Sequence, residues 1–177
     1  MIELASSHLP LFHEAGVYHA PTDALWVVSD GIENVTTRYI SRVTGLGSAT
    51  SIVVERMNHT IPNPCGGVRY VSGTALGDVI LIAAQGTTTE HPPAGVYALN
   101  PYPPYNTSLV LGSYGNYPFN GLDDVTVTSD GVIWFTDVSI STHPTWTKSS
   151  TDRALLLTGC IRPVSYTHLT LPTKRIV

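Results

Sequence analysis

With 177 residues the chain has room for one sizeable core or for part of a larger domain. Charged residues make up only 12% against 42% in the hydrophobic class, which excludes a disordered chain. A net charge of −4 with no basic cluster excludes the electrostatic footprint of nucleic-acid binding, and no apolar run approaches the roughly 20 residues that span a bilayer.

Met1–Leu11 lacks the basic start and apolar stretch of a signal peptide, so no leader is expected in this chain. Three acceptor sequons nevertheless occur, at Asn34, Asn58 and Asn106. They point to glycosylation and an extracellular or secretory-pathway origin, with Met1 not the native start. The 15 Gly and 13 Pro, together with abundant Thr, Ser and Val, favour short strands and turns over helices.

The first predicted hairpin runs from Gly16-Val17-Tyr18 through Ala20–Asp23 into Leu25–Asp30. A third strand is expected over Thr37–Val43 and an outer one over Ser51–Arg56. The second copy runs from Gly67–Val71 through Ser72–Gly77 into Asp78–Ala83, followed by candidate strands at Gly95–Leu99 and Ser108–Leu111. Val79–Ala84 has the length of a fully buried strand. Gly66-Gly67 reads as a turn before that copy. The third copy, Asp124–Val127 and Val132–Asp137, flanks Ser129-Asp130-Gly131, a strong hairpin signal. Trp26 and Trp134 are expected at matching core positions of their copies.

Successive copies begin about 50–57 residues apart, the spacing of propeller blades. The predicted fold is therefore all-β: a partial β-propeller of about two and a half blades over residues 1–141. Residues 142–163 read as irregular and 164–177 as a non-native or disordered tail, since neither follows the turn–strand rhythm. An open ring of this kind leaves a blade face and strand edges uncovered.

Oxygen-bearing side chains gather where the inner strands begin. Glu14 precedes the first strand, and Asn120, Asp123 and Asp124 precede the third copy. In a propeller these positions surround one mouth of the channel, so residues more than 100 apart in sequence converge. Such hard ligands suit Ca²⁺, with Mg²⁺ or Mn²⁺ as alternatives; the competing structural role is capping of turns by Asn120 and Asp124. His13, Glu14 and His19 lack the spacing and helix of a zinc box. Cys65 and Cys160 are compatible with one disulfide or with two separate thiols.

Three segments, His13-Glu14-Ala15-Gly16-Val17-Tyr18, Phe119-Asn120-Gly121-Leu122-Asp123-Asp124-Val125 and Gly131–Asp137, resemble the senescence marker protein–gluconolactonase–luciferin-regenerating family of six-bladed propellers, particularly its secreted lactonohydrolase branch. The resemblance covers roughly Phe12 to Asp137. It implies Glu14 and Asp123 as ligands of a central divalent metal (Ca²⁺, or Mg²⁺, Mn²⁺ or Zn²⁺), and Asn120 and Asp123 as substrate-binding residues. Asp123 stands where family members carry Asn, which adds a charge.

The implied activity is hydrolysis of a small-molecule lactone. The metal polarises the carbonyl and activates water, and a general base from a later blade, absent from this chain, completes the site. This chain alone is then expected to be inactive. The alternatives are a non-catalytic propeller binding module with a structural metal and a strictosidine-synthase-like or paraoxonase-like enzyme. No nucleic-acid or membrane partner is expected.

Overall fold

The computed structural model describes residues 6, 10–30, 38–47, 51–71, 76–87, 92–114, 117–138 and 157–161. Among them there is no α-helix. One 3₁₀ turn, Ala20–Thr22, and thirteen strands account for the regular structure. No helix among the described residues is long and apolar enough to cross a membrane.

The first blade is an antiparallel meander of β1 (Glu14–His19), β2 (Ala24–Val28), β3 (Ile40–Thr44) and β4 (Val53–Arg56), hydrogen-bonded in that order. The second repeats it with β5 (Pro64–Val71), β6 (Asp78–Ala84), β7 (Gly95–Leu99) and β8 (Thr107–Leu111). A two-stranded ribbon, β9 (Ser113–Tyr114) and β10 (Tyr117–Pro118), leads to the third blade. There β11 (Leu122–Val127), β12 (Ile133–Asp137) and β13 (Leu157–Ile161) pair in order. The first strands of the three blades lie together, with β5 packed between β1 and β11. The fold is an all-β, partial β-propeller in which none of the sheets closes on itself.

Alternation along β6 explains how the blades stack. Ile80, Ile82 and Ala84 join Trp26, Val28 and Ile40 of the first blade in one core. Val79, Leu81 and Ala83 join Leu122, Val125, Ile133 and Phe135 of the third blade in another. Period-2 geometry sends successive side chains to opposite faces, so a strand covered on both faces must be apolar throughout, as the Val79–Ala84 run is. Each large aliphatic side chain buried this way contributes roughly 1.5–3 kcal/mol. The predicted hairpin at Ser129–Gly131 forms through Gly131 N–H to the Thr128 carbonyl and Thr128 N–H to the Val132 carbonyl, both at 2.9 Å, with Gly131 at φ 82°.

The three inner strands share one irregularity, a register shift near their first residues. It falls between Glu14 and Val17, between Pro64 and Gly67, and between Leu122 and Val125. These bulges set the true correspondence of the copies. Val17 faces Trp26, Gly67 faces Ile82 and Val125 faces Phe135. Trp26 thus corresponds to Phe135, not to Trp134, which pairs with Thr126 one residue away and is only half-buried. Gly66 and Gly67 lie inside β5 at its bulge and not in a turn. β13 falls within the stretch read as irregular and supplies the third blade with its third strand. Residues 162–177 lie outside the described residues.

Candidate functional site

The bulges put the beginnings of β1, β5 and β11 side by side at one end of the assembly. Gly66 makes this approach possible. A Cβ there would stand 2.2 Å from Asp124 Oδ1 and 2.9 Å from both the Asp123 carbonyl oxygen and Asp124 Cα. At Gly67 a Cβ would lie 2.8 Å from Ile82 Cδ1, 3.0 Å from the Leu81 carbonyl and 3.1 Å from Ala15 Cβ. The Gly-Gly pair therefore lets β5 sit close to both neighbours, one glycine toward each.

Glu14 is level in the ladder with Pro64 and Leu122, since these face Val28, Ala84 and Asp137 respectively. Asp123 is one residue further in, level with Ala15 and Cys65. Counted back from their hairpins without the bulges, Glu14 and the Asp123-Asp124 pair fall at the same level, because hydrophobic alternation cannot count residues through a bulge. Ala15, at φ 53°, holds the left-handed conformation beside Glu14, a local cost of about 1–2 kcal/mol for a residue with a Cβ.

The carboxylates at this mouth differ in commitment. Glu14 is 44% exposed and lies 3.8 Å from His13 Nδ1, while His13 Nε2 is 3.8 Å from Asp30. Asp123 is exposed and makes no hydrogen bond or ion pair among the described residues. Asp124 instead accepts the Val125 N–H at 2.8 Å, and its own N–H donates to Thr136 Oγ1 at 3.1 Å. It caps the bulge. Asn120 gives its backbone N–H (2.9 Å) and its Nδ2 (3.3 Å) to Asp137, which also accepts the Gly121 N–H at 2.9 Å. Asp137 is thus a buried clamp on the loop before β11, and burial pushes its carboxyl above the usual range against the pull of these donors.

Between the two exposed carboxylates sits Cys65, a residue that sequence reading did not place at the site. It is fully buried and free, and Arg38 Nη1 donates to its Sγ. Burial, with the nearby Asp123 and Glu14 charges adding to it, pushes the thiol up to about 12 despite Arg38. Both carboxylates lie near enough to the sulfur for their charges to act on it. Cys65 is level with Asp123 only once the three bulges are set in register, which no pattern in the sequence marks.

For a divalent cation the donor chemistry fits, since both exposed groups are hard oxygen ligands. The number does not: among the described residues no group of three or more His, Cys, Asp or Glu could hold a metal ion. Of the sequons, Asn58 and Asn106 are exposed on connections between strands, and Asn34 lies outside the described residues.

At the opposite end of the inner strands the charged groups are spent on one another. His19, with no exposed surface, has Nδ1 2.7 Å from Thr22 Oγ1 and Nε2 3.1 Å from Asp78 Oδ2. Arg69 grips the same carboxylate with Nε–Oδ1 at 3.0 Å and Nη2–Oδ2 at 2.9 Å. This fork holds Asp78 below the usual carboxylate range. The network joins the first blade to the second.

Comparison with family models, with curated proteins and with solved structures finds no match.

Proposed function

We propose that the Glu14–Asp123 mouth is part of a divalent-cation-dependent lactone hydrolase site, with calcium the first choice of ion. The observation that carries this is that two exposed carboxylates from separate blades, Glu14 and Asp123, stand at the beginnings of inner strands that pack on either side of β5. Buried carboxylates that serve only the fold are hydrogen-bonded, as Asp137 is; exposed ones held at one mouth are available to a ligand. When bound, the ion supplies Lewis acidity and an acidified water. The chain's own contribution is to hold Glu14 and Asp123 at the beginnings of their strands through the paired bulges, and to fix Asn120 by its amide nitrogen on Asp137. A third oxygen ligand and a general base belong, on this proposal, to further blades. Hydrolysis of the lactone therefore needs a closed ring, and this chain alone binds the ion weakly and does not turn over. The sequons at Asn34, Asn58 and Asn106 place the protein in the secretory pathway on the same proposal.

Calorimetric titration of calcium into the chain, its Glu14→Gln variant and its Asp123→Asn variant tests the ion site. Hydrolysis of gluconolactone and pantolactone by a ring extended with further blades tests the chemistry. Binding that is present in the parent chain and lost in both variants is expected. Binding that is absent, or unchanged by Glu14→Gln, rejects the site. Calcium binding without lactone turnover in a closed ring selects the alternative, a binding module with a structural ion.

A further inference from the structure

A second feature lies beside the acidic mouth and carries the opposite charge. A cavity of about 640 Å³ opens between the first two blades. It is walled by Arg38 and Tyr39 ahead of β3 and by the connection from Arg56 to Asn63 that joins β4 to β5. Its size falls within the range of small-molecule sites. Among the described residues no carboxylate lines it.

The two guanidinium groups differ in what they are free to do. Arg38 is shared between Cys65 Sγ and Asp30, whose Oδ1 is 3.5 Å from its Nε. Arg56 has no carboxylate partner among the described residues; its guanidinium carbon sits 4.3 Å over the Tyr39 ring centroid. Stacking of this kind fixes the plane of the fork and leaves its N–H donors directed outward along the edge. His59 adds no competing acceptor. Its Nε2 accepts the Ile40 N–H at 3.2 Å, so the proton resides on Nδ1. Burial and the neighbouring Arg56 charge both lower its basicity.

We infer that this cavity is a binding site for the oxyanion group, carboxylate or phosphate, of a small polar ligand, with Arg56 as the principal anchor and Arg38 as the second cation. Planar, stacked arginines recognise oxyanions through paired N–H donors. A cavity with two guanidinium groups and, among the described residues, no acid in its wall favours an anion over a cation. The inference holds whether or not the neighbouring mouth hydrolyses lactones, because none of its residues is a proposed ion ligand.

Calorimetry or ligand-observed NMR on the whole chain tests it with three probes: inorganic phosphate, gluconate and, as the uncharged comparator, glucose. Phosphate, gluconate or both should bind while glucose does not, and which of the two binds separates a phosphate from a carboxylate ligand. In Arg56→Gln, on an exposed position where truncation is tolerated by the fold, binding should weaken roughly ten- to hundredfold. Arg56→Lys, which keeps the charge and loses the fork, should fall between. The inference is overturned if neither anion binds at millimolar concentration. It is equally overturned if Arg56→Gln binds as the parent chain does, or if glucose binds as tightly as gluconate.

Discussion

The two ends of the inner strands carry similar numbers of charged groups and use them in opposite ways. At the turn end, His19, Asp78 and Arg69 satisfy one another, and the imidazole has no exposed surface. At the bulge end, Glu14 and Asp123 remain exposed with at most a distant partner. A paired network that bridges two blades is explained by the fold alone. Exposed carboxylates at the strand beginnings with at most a distant partner are not, and the functional proposal rests on that difference.

The bulge end is open in its carboxylates but closed in its thiol, and this gives the largest expected effect. An ordinary cysteine titrates near 9.0, whereas Cys65 is pushed up to about 12. At pH 8 its thiolate fraction is then about a thousandfold below that of an ordinary thiol. Alkylation by iodoacetamide followed by mass spectrometry should leave Cys65 unmodified in the folded chain and label it readily in guanidinium chloride. Fast labelling of the native chain would mean that the space between Glu14 and Asp123 is open to solvent throughout.

Gly66→Ala is expected to cost about 3 kcal/mol, because the added methyl meets backbone of β11 at 2.9 Å and cannot be relieved by a rotamer change alone. Gly67→Ala should cost less, since its closest neighbour, Ile82 Cδ1, is the tip of a flexible side chain. Denaturant melts of the two variants rank them. If Gly66→Ala is the milder, the inner strands do not meet at the bulge as described.

The blade pattern was legible in the sequence because β6 and β7 are apolar runs bounded by turn signals, and because Asp130-Gly131 names its hairpin. The site was legible in part. Glu14, Asp123 and Asn120 stand out as polar groups before apolar strands, yet their level was misjudged because three bulges shift the count. The same shift exchanged Trp134 for Phe135 in the core. The pairing of His19 with Asp78 spans 59 residues, and no local spacing rule reaches that far. β13 follows a long connection with no Asp-Gly or Asn-Gly pair to mark the entry of the next strand. Gly66-Gly67 carried the usual signal of a turn, and its actual role of close strand approach looks identical in sequence.

Substitutions at the two ends sharpen the contrast. Asp78→Ala removes the acceptor of a paired guanidinium and of a buried imidazole, and should destabilise by about 2 kcal/mol. Glu14→Ala removes a half-exposed side chain with one neighbour at 3.8 Å and should stay within about 0.5 kcal/mol. Thermal melts of the pair check this. Equal losses would make the mouth a structural network like its counterpart.

Acid sensitivity should separate the ends by a smaller margin. Arg69 and His19 depress the Asp78 carboxyl below its ordinary value of 3.8. The folded state therefore holds the Asp78 proton more weakly than the unfolded state does. The stability it contributes is complete above about pH 4 and disappears as pH falls through the depressed value. Asp137 works in the reverse sense. Burial raises its carboxyl, so its contribution is complete below about pH 4 and is lost as pH rises through the raised value. Because Asp78 and Arg69 are each partly exposed, solvent screening limits the Asp78 share to about 1 kcal/mol or less. The difference in Tm between the parent chain and Asp78→Asn should accordingly be constant from neutral pH down to about 4 and shrink below it. A difference that grew on acidification would place the stabilising charge elsewhere. One that was unchanged down to about pH 2 would mean that the fork between Arg69 and Asp78 acts through shape and hydrogen bonding, with its charge immaterial.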